Sequence, residues 1–156
     1  MGLIAIDPGK VTGAAYFEDG ELVRAEVCTF EECRLFIENA ARIGASRRSG
    51  TCVIEVPQVY PGQQQKGDQN DLITLAVMVG QYVECARMQR FEPVLVKPRE
   101  WKGQLPKDVC WSRVSAALSV EEIKRIPKLP KSKAHNMQDA IGIGMWFLKR
   151  RWGPRQ

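Results

Sequence analysis

The hydrophobic positions of the first 29 residues fall into short runs separated by polar, glycine-containing turns. The first run, Leu3-Ile4-Ala5-Ile6, ends in Asp7-Pro8-Gly9, which is typical of a buried strand that breaks into a tight turn. The pattern predicts strands over 3–7, 12–17 and 22–29, with the last two joined by a hairpin turn at Glu18-Asp19-Gly20. The chain is therefore expected to open with an antiparallel meander.

The spacing changes after residue 29, where apolar side chains recur every three to four positions. This spacing predicts helices over 30–43, 71–90, 107–118, 120–126 and 134–151. Two more apolar runs, at 51–56 and 93–96, predict a fourth and a fifth strand. Strands interleaved with helices indicate an α/β fold, and 156 residues suit a single domain over 1–156.

The helix predicted over 71–90 carries apolar residues around much of its circumference. One face is expected to contain Leu72, Leu75 and Val79, and Ile73 and Val77 widen the apolar surface. Either one side packs on the sheet and the other on a second subunit, or the whole helix is buried in a monomer.

Composition narrows the class of protein further. The five cysteines show no C-x-x-C pairing, which argues against a disulfide framework or zinc ribbon and predicts small buried hydrophobes. With a single histidine, any metal site must rely on oxygen ligands. No apolar run is long enough to span a membrane and no signal segment is evident, so we expect an intracellular protein. A net charge of +5 favours an anionic partner, nucleic acid first, over a merely soluble basic surface.

Three acidic positions stand out against this background. Asp7 and Glu55 each end a predicted strand, and Asp139 lies on the last predicted helix. A buried carboxylate without a partner costs several kcal/mol, roughly, so convergence of these groups would require bound cations. Oxygen ligands favour Mg²⁺ or Mn²⁺, as in two-metal phosphodiester hydrolysis. For Asp7 alone, a turn aspartate before Pro-Gly remains the alternative.

Basic residues cluster in two later segments, 97–103 and 127–133, the second of which is expected to be a proline-broken linker. Basic side chains beside a tryptophan suit phosphate contact and base stacking, and the alternative is a solvated connection with the indole packed inward. The candidates for nucleic-acid contact are Lys97, Arg99, Trp101, Lys131 and Lys133 in these segments, together with Lys107 between them.

Three motifs, taken in this order, resemble the RuvC-type Holliday junction resolvases of the ribonuclease H-like superfamily. They are Ile6-Asp7-Pro8-Gly9 with Thr12-Gly13, the strand end Ile54-Glu55, and Asn136-Met137-Gln138-Asp139-Ala140 on the last helix. The resemblance extends from residue 2 to about residue 150. It implies a five-stranded mixed sheet flanked by helices, a homodimer, and paired symmetric nicks across a four-way DNA junction.

The resemblance also implies roles for individual residues. Asp7, Glu55 and Asp139 would hold two Mg²⁺ or Mn²⁺ ions, without a nucleotide cofactor or a covalent intermediate. A lysine after the fifth strand assists catalysis in the family, and Lys97 and Lys107 are the candidates here. In the loop after Glu55, expected to be exposed over 60–70, Tyr60 would stack on an unpaired base, as an aromatic does in relatives, or else pack on its own loop.

Asn136 departs from the family pattern, in which this position is usually acidic and sometimes histidine. An uncharged amide would weaken one metal site, so the chain is expected to be a weakened or inactive variant. Three explanations are open. Asn136 is a natural variant, or the neighbouring His135 takes over the role of the missing acidic residue, or the asparagine is a deliberate Asp-to-Asn change. We favour the last because the two side chains are isosteric.

Other functions are compatible with parts of this pattern. A ribonuclease H-like nuclease acting on structured RNA keeps the fold, and a non-catalytic junction-binding protein fits Asn136. An actin-like ATPase shares the Asp-x-Gly and Thr-Gly features but needs two such domains. A DNA-processing role places the protein in the cytoplasm of a bacterium or phage-infected host.

Overall fold

A computed structural model of the chain describes residues 1–43, 50–58 and 69–150. Its five strands are β1 (Leu3–Asp7), β2 (Thr12–Glu18), β3 (Glu21–Cys28), β4 (Thr51–Glu55) and β5 (Glu92–Val96). Its helices are α1 (Phe30–Ile43), α2 (Gln69–Met88), α3 (Pro98–Trp101), α4 (Lys107–Ala116), α5 (Val120–Lys124) and α6 (Lys131–Phe147). No helix in the described ranges is long and apolar enough to cross a membrane.

The strands form one mixed sheet in the order β3-β2-β1-β4-β5. The meander β1-β2-β3 is antiparallel, as the opening pattern predicts, whereas β4 runs parallel to β1 and β5 parallel to β4. This confirms the predicted five-stranded mixed sheet flanked by helices. Parallel neighbours matter for function because their carboxyl ends meet at one edge of the sheet.

Side-chain alternation along β1 divides the core into two clusters, one on each face of the sheet. Leu3 and Ala5 belong to the cluster that packs beneath α6 and α4. Ile4 and Ile6 belong to the opposite cluster, beneath α1 and α2. Period-two alternation therefore fixes which face each strand residue serves.

Two predicted boundaries are corrected by the structure. The segment after β5 contains a short helix, α3, where the pattern predicts only a loop, because Pro98 can begin a helical turn. The last helix begins at Lys131, three residues before its predicted start, so the second basic segment is partly helical. Four of the five cysteines are buried and all are free thiols, which confirms their prediction as small core residues.

Candidate active site

The parallel pairing of β1 with β4 brings the first two carboxylates together. Ile6 pairs with Ile54, so the next residues, Asp7 and Glu55, end adjacent strands at the same edge of the sheet. Alternation places both on the face covered by α6, since their predecessors on that face belong to the core beneath that helix. The two carboxylates are thus held on rigid backbone, on one side of the sheet.

A glycine in β2 allows α6 to approach this edge closely. Gly13 pairs with Asp7 across the antiparallel ladder, and a Cβ added to it would lie 1.9 Å from the carbonyl oxygen of Asn136. No other residue fits there without displacing the helix backbone. The close approach positions the first half of α6 over β1, which carries Asp139 to the two strand-end carboxylates.

Lys102, which follows α3, lies among the carboxylates. Its Nζ is 3.2 Å from Oδ2 of Asp139 and 3.9 Å from Oε2 of Glu55. The Lys102 side chain is only 16% exposed, and those of Glu55 and Asp139 are 14% and 11% exposed. One ammonium group thus links two of the three carboxylates in a poorly hydrated site.

Trp101 holds the Glu55 carboxylate in place by a hydrogen bond. Its indole Nε1 donates a hydrogen bond to Oε2 of Glu55 at 2.5 Å, and the residue is 1% exposed. Its ring fits against α6 at Gly142, where a Cβ would lie 2.7 Å from the indole. The expectation that Trp101 stacks on a base is therefore corrected, because the ring is buried in the core and its N–H is engaged.

Burial and the neighbouring charges shift the pKa values of Asp7, Glu55 and Lys102. Burial, followed by the charges of Glu55 and Asp139, raises the pKa of Asp7 well above its ordinary value, although Lys102 and Lys107 oppose the rise. Burial also raises the pKa of Glu55, against the opposing effects of Lys102 and the Trp101 hydrogen bond. Burial alone would lower the pKa of Lys102, but the three carboxylates together raise it. The site therefore holds more negative charge than the nearby lysines neutralise.

This donor set suits a hard divalent cation. Carboxylate oxygens are the ligands that Mg²⁺ and Mn²⁺ prefer. The raised pKa of Asp7 reflects burial first and then repulsion by Glu55 and Asp139, and a bound cation would offset both. Within the described ranges, no three or more His, Cys, Asp or Glu side chains form a ready-made metal cluster. Lys102 instead supplies the cationic charge among these carboxylates.

Asn136 lies on α6 one turn before Asp139, but its side chain is directed toward the loop after β1. Its carboxamide Nδ2 donates a hydrogen bond to the Val11 carbonyl oxygen. An aspartate in the same position would present an acceptor to that carbonyl. His135 is half-buried and lines a separate pocket between α4 and α6.

The remaining basic residues predicted to contact DNA or assist catalysis are exposed. Lys107, at the start of α4, is exposed yet near enough to act electrostatically on Asp7 and Glu55. Lys97, Arg99, Lys131 and Lys133 are exposed, and Tyr60 lies outside the described residues.

Sequence reasoning missed Lys102 as the lysine closest to the carboxylates. The signal that could have found it is Pro98 after β5, because a single helical turn beginning there returns the following residues over the sheet edge.

Similarity to known proteins is detectable at the level of structure. No family model matches the chain, and no curated protein matches its sequence. RuvC from T. thermophilus in complex with a Holliday junction substrate superimposes with a TM-score of 0.65 at 16% identity, over 96% of this chain and 95% of that one. A second Thermus thermophilus RuvC structure gives 0.56 at 16% identity, over 94% and 92% of the two chains. Fowlpox virus resolvase, in a complex with Holliday junction DNA, gives 0.52 at 14% identity, over 96% and 97%.

These likenesses establish the fold. The chain has a ribonuclease H-like fold, which it shares with the two RuvC structures and with the fowlpox virus resolvase.

Proposed function

We propose that this chain is a structure-selective endodeoxyribonuclease that resolves four-way DNA junctions by metal-dependent phosphodiester hydrolysis. The observation that carries the proposal is the convergence of Asp7, Glu55 and Asp139, from two strand ends and a distant helix, around the single ammonium of Lys102. The fold shared with resolvases that were solved with Holliday junctions supports the choice of substrate.

Asp7, Glu55 and Asp139 would hold the divalent cations, Mg²⁺ or Mn²⁺, two per site. When bound, such ions lower the pKa of water and stabilise charge on the attacking and leaving oxygens of a phosphodiester. The protein's own residues keep the carboxylates in place: β1 and β4 fix two of them, and the Trp101 indole holds Glu55 by its hydrogen bond. Lys102 takes the role of the assisting lysine, in preference to Lys97 and Lys107, because it contacts two of the carboxylates.

A homodimer is part of the proposal, because two sites at a fixed separation would explain paired symmetric nicks. Helix α2 supports it: Ile73 is 63% exposed and Val77 is 59% exposed, one turn apart on the same face. Its opposite face, with Val79, Tyr82 and Ala86, is buried against the sheet. Helix α2 therefore has an apolar surface that its own chain leaves exposed.

The central experiment incubates a labelled four-way junction with the protein and Mg²⁺ or Mn²⁺. We expect paired nicks from the protein as it stands, at a rate limited by Asn136. Asn136→Asp should raise the rate steeply, because an aspartate cannot donate to the Val11 carbonyl oxygen and can turn toward the other carboxylates as a fourth. An equal rate for both proteins would contradict the role given to position 136.

Controls separate the competing functions. Asp7→Asn should abolish cleavage in either background while junction binding persists. Equal activity on structured RNA would favour the ribonuclease alternative, and binding without cleavage even for Asn136→Asp would favour a non-catalytic junction-binding protein. A preference for junction over duplex DNA supports the proposal and a cytoplasmic role in recombination or repair, in a bacterium or a phage-infected host.

A further inference from the structure

A pocket of about 750 Å³ lies between α4 and α6, beside the carboxylate cluster. Its volume falls within the roughly 300–1,000 Å³ that is typical of small-ligand sites. None of the three clustered carboxylates lines it. It is therefore distinct from the carboxylate cluster, and its chemistry differs from that of the cluster.

The apolar wall of the pocket consists of Trp111, Leu129 and Ala134. Trp111 and Leu129 are half-buried and pack against the core cluster beneath α6, so the indole is supported from behind. An aromatic ring that is fixed by the core and borders an open pocket can stack on a planar ligand at small entropic cost.

Two lysines give the pocket its positive charge. Lys107 and Lys131 are exposed and are the first residues of α4 and α6. Both helices begin after a proline and have no side-chain hydrogen bond at the cap, so the positive ends of both helices add to the lysine charges. This combination favours an anionic ligand such as a nucleotide.

The remaining polar lining residues are suited to the edge of a base. Asp108, His135 and Gln138 border the pocket. A carboxylate accepts a hydrogen bond from the exocyclic amino group of cytosine, adenine or guanine, and a carboxamide can donate to and accept from the same edge. Thymine has no amino group and offers Asp108 only its ring N3–H.

The pocket lies next to the carboxylates at which the scissile phosphate would bind. On α6, Gln138 precedes Asp139 by one residue, so the pocket and the carboxylates occupy neighbouring faces of one helix. Lys107 lines the pocket and also acts electrostatically on Asp7 and Glu55. A DNA strand with its phosphate at the carboxylates would present an adjacent nucleotide to the pocket.

We propose that this pocket binds one nucleobase of the DNA, unstacked from its strand near the cleavage site, with Trp111 as the stacking platform. The pocket selects an amino-bearing base (cytosine, adenine or guanine) over thymine through Asp108, and Lys107 and Lys131 contact the flanking phosphates. The inference rests on the proposed function and deepens it, since it supplies a source of sequence preference at the cut.

The test asks whether removing the Trp111 indole and removing one base of the junction weaken the same contact. Junction affinity is measured by fluorescence anisotropy while each nucleotide near the crossover is replaced in turn by an abasic residue. For the unaltered protein, one abasic position should weaken binding by roughly tenfold or more, in line with base–aromatic stacking. Trp111→Ala should weaken binding to the intact junction comparably and show no further loss at that position.

Matched variants separate stacking from packing. Trp111→Phe keeps an aromatic ring and should retain the abasic effect, whereas Trp111→Leu keeps apolar volume and should lose it. Asp108→Asn should reduce the preference for cytosine, adenine or guanine over thymine at the coupled position.

Two outcomes would overturn the inference: absence of any coupled position, or Trp111→Leu behaving like Trp111→Phe. If the unaltered protein binds four-way junctions no better than duplex DNA, it is the proposed function that fails. Tight junction binding without a coupled base rejects only the base pocket.

Discussion

Asp7 departs from what folding alone would favour. It is 7% exposed at the end of a central strand, and burial, followed by the charges of Glu55 and Asp139, raises its pKa. An acid whose pKa is higher in the folded than in the unfolded state destabilises the fold once pH rises above the unfolded value. Asp7 therefore lowers stability at neutral pH, and its retention is explained by the cation that it would bind.

Replacing this charge tests that reasoning. In EDTA, Asp7→Asn should raise the melting temperature by several degrees, at about 2–4 °C for each kcal/mol recovered in a chain of this size. The same variant should lose the stabilisation that Mn²⁺ gives to the unaltered protein. Differential scanning calorimetry with and without Mn²⁺ measures both effects.

Asp71→Asn is the matched control, because Asp71 is exposed at the start of α2. It should leave the response to Mn²⁺ unchanged. A lower melting temperature for Asp7→Asn in EDTA would contradict the inference that the buried charge of Asp7 destabilises the metal-free protein.

Lys102 is the second residue whose charge shapes the carboxylate site. Its ammonium lies between carboxylates that would hold the cations, so it both stabilises the metal-free site and opposes cation entry. Lys102→Met keeps the length of the side chain and removes its charge. We expect Mn²⁺ affinity to rise about tenfold by calorimetric titration, because a like charge has been removed at close range, while junction cleavage falls.

The control is Lys124→Met, since Lys124 is exposed on α5 and forms an ion pair with Glu121, outside the site. It should change neither quantity. An unchanged Mn²⁺ affinity for Lys102→Met would show that Lys102 does not compete with the metal.

At the scale of elements, the helices differ in how completely their own chain covers them. Helix α6 is buried through much of its length, from Ala134 to Met145. Helix α2 is buried only on one side of its second half. Leu72 and Leu75, which the sequence places on the buried face, are half-buried, and the exposed apolar residues lie elsewhere on the helix. The exposed positions exclude the alternative of a helix fully buried within the monomer.

The exposed face of α2 predicts the oligomeric state. Ile73→Glu combined with Val77→Glu should convert a dimer to a monomer in sedimentation velocity, because burying unpaired carboxylates in an apolar interface costs several kcal/mol, roughly. Junction cleavage should then change from paired to single nicks. Leu35→Glu is the control, since Leu35 is 49% exposed on α1 and receives the same substitution. A double variant that remains dimeric would place the interface elsewhere.

At the scale of the whole molecule, a buried ion pair ties together segments that are far apart in the chain. Glu122 is 2% exposed and accepts hydrogen bonds from the backbone N–H groups of Leu22 and Ser119, each at 2.8 Å. Arg150 donates to both of its carboxylate oxygens and to the Ala117 carbonyl oxygen. The contact joins β3, α4, α5 and the end of the described chain.

The Glu122 contact predicts an acid-sensitive contribution to stability. Burial opposes ionisation of Glu122, but the hydrogen bonds from Arg150, Leu22 and Ser119 outweigh it and lower its pKa to about 2. Because the folded pKa lies below the unfolded value, the stabilisation is complete above about pH 5 and is lost as pH falls toward 2. Glu122→Gln should cost on the order of 3 kcal/mol at pH 7 in urea unfolding.

The difference between Glu122→Gln and the unaltered protein should shrink progressively as pH falls below 5. Glu121→Gln is the matched control, since Glu121 forms only an exposed ion pair with Lys124 and should cost less than about 1 kcal/mol. A pH-independent difference for Glu122→Gln would reject the ionic explanation.

The sequence by itself determined the five strands, most of the helices, and the placement of acidic residues at two strand ends and on the last helix. These features depend on local chemistry, because alternation and helical spacing are properties of neighbouring residues. The spacing of Ser119 and Glu122 is a local pattern of the same kind, and in the structure the two residues form a capping box at the start of α5.

Only the tertiary structure decided what surrounds those carboxylates. The place of Lys102, the burial of Trp101 against Gly142, and the pocket beside Trp111 all depend on how helices pack across long sequence separations. A basic segment with a tryptophan has the same local pattern whether its indole faces solvent or the core. The direction of that side chain is set by the space α6 leaves above the sheet, which no local pattern contains.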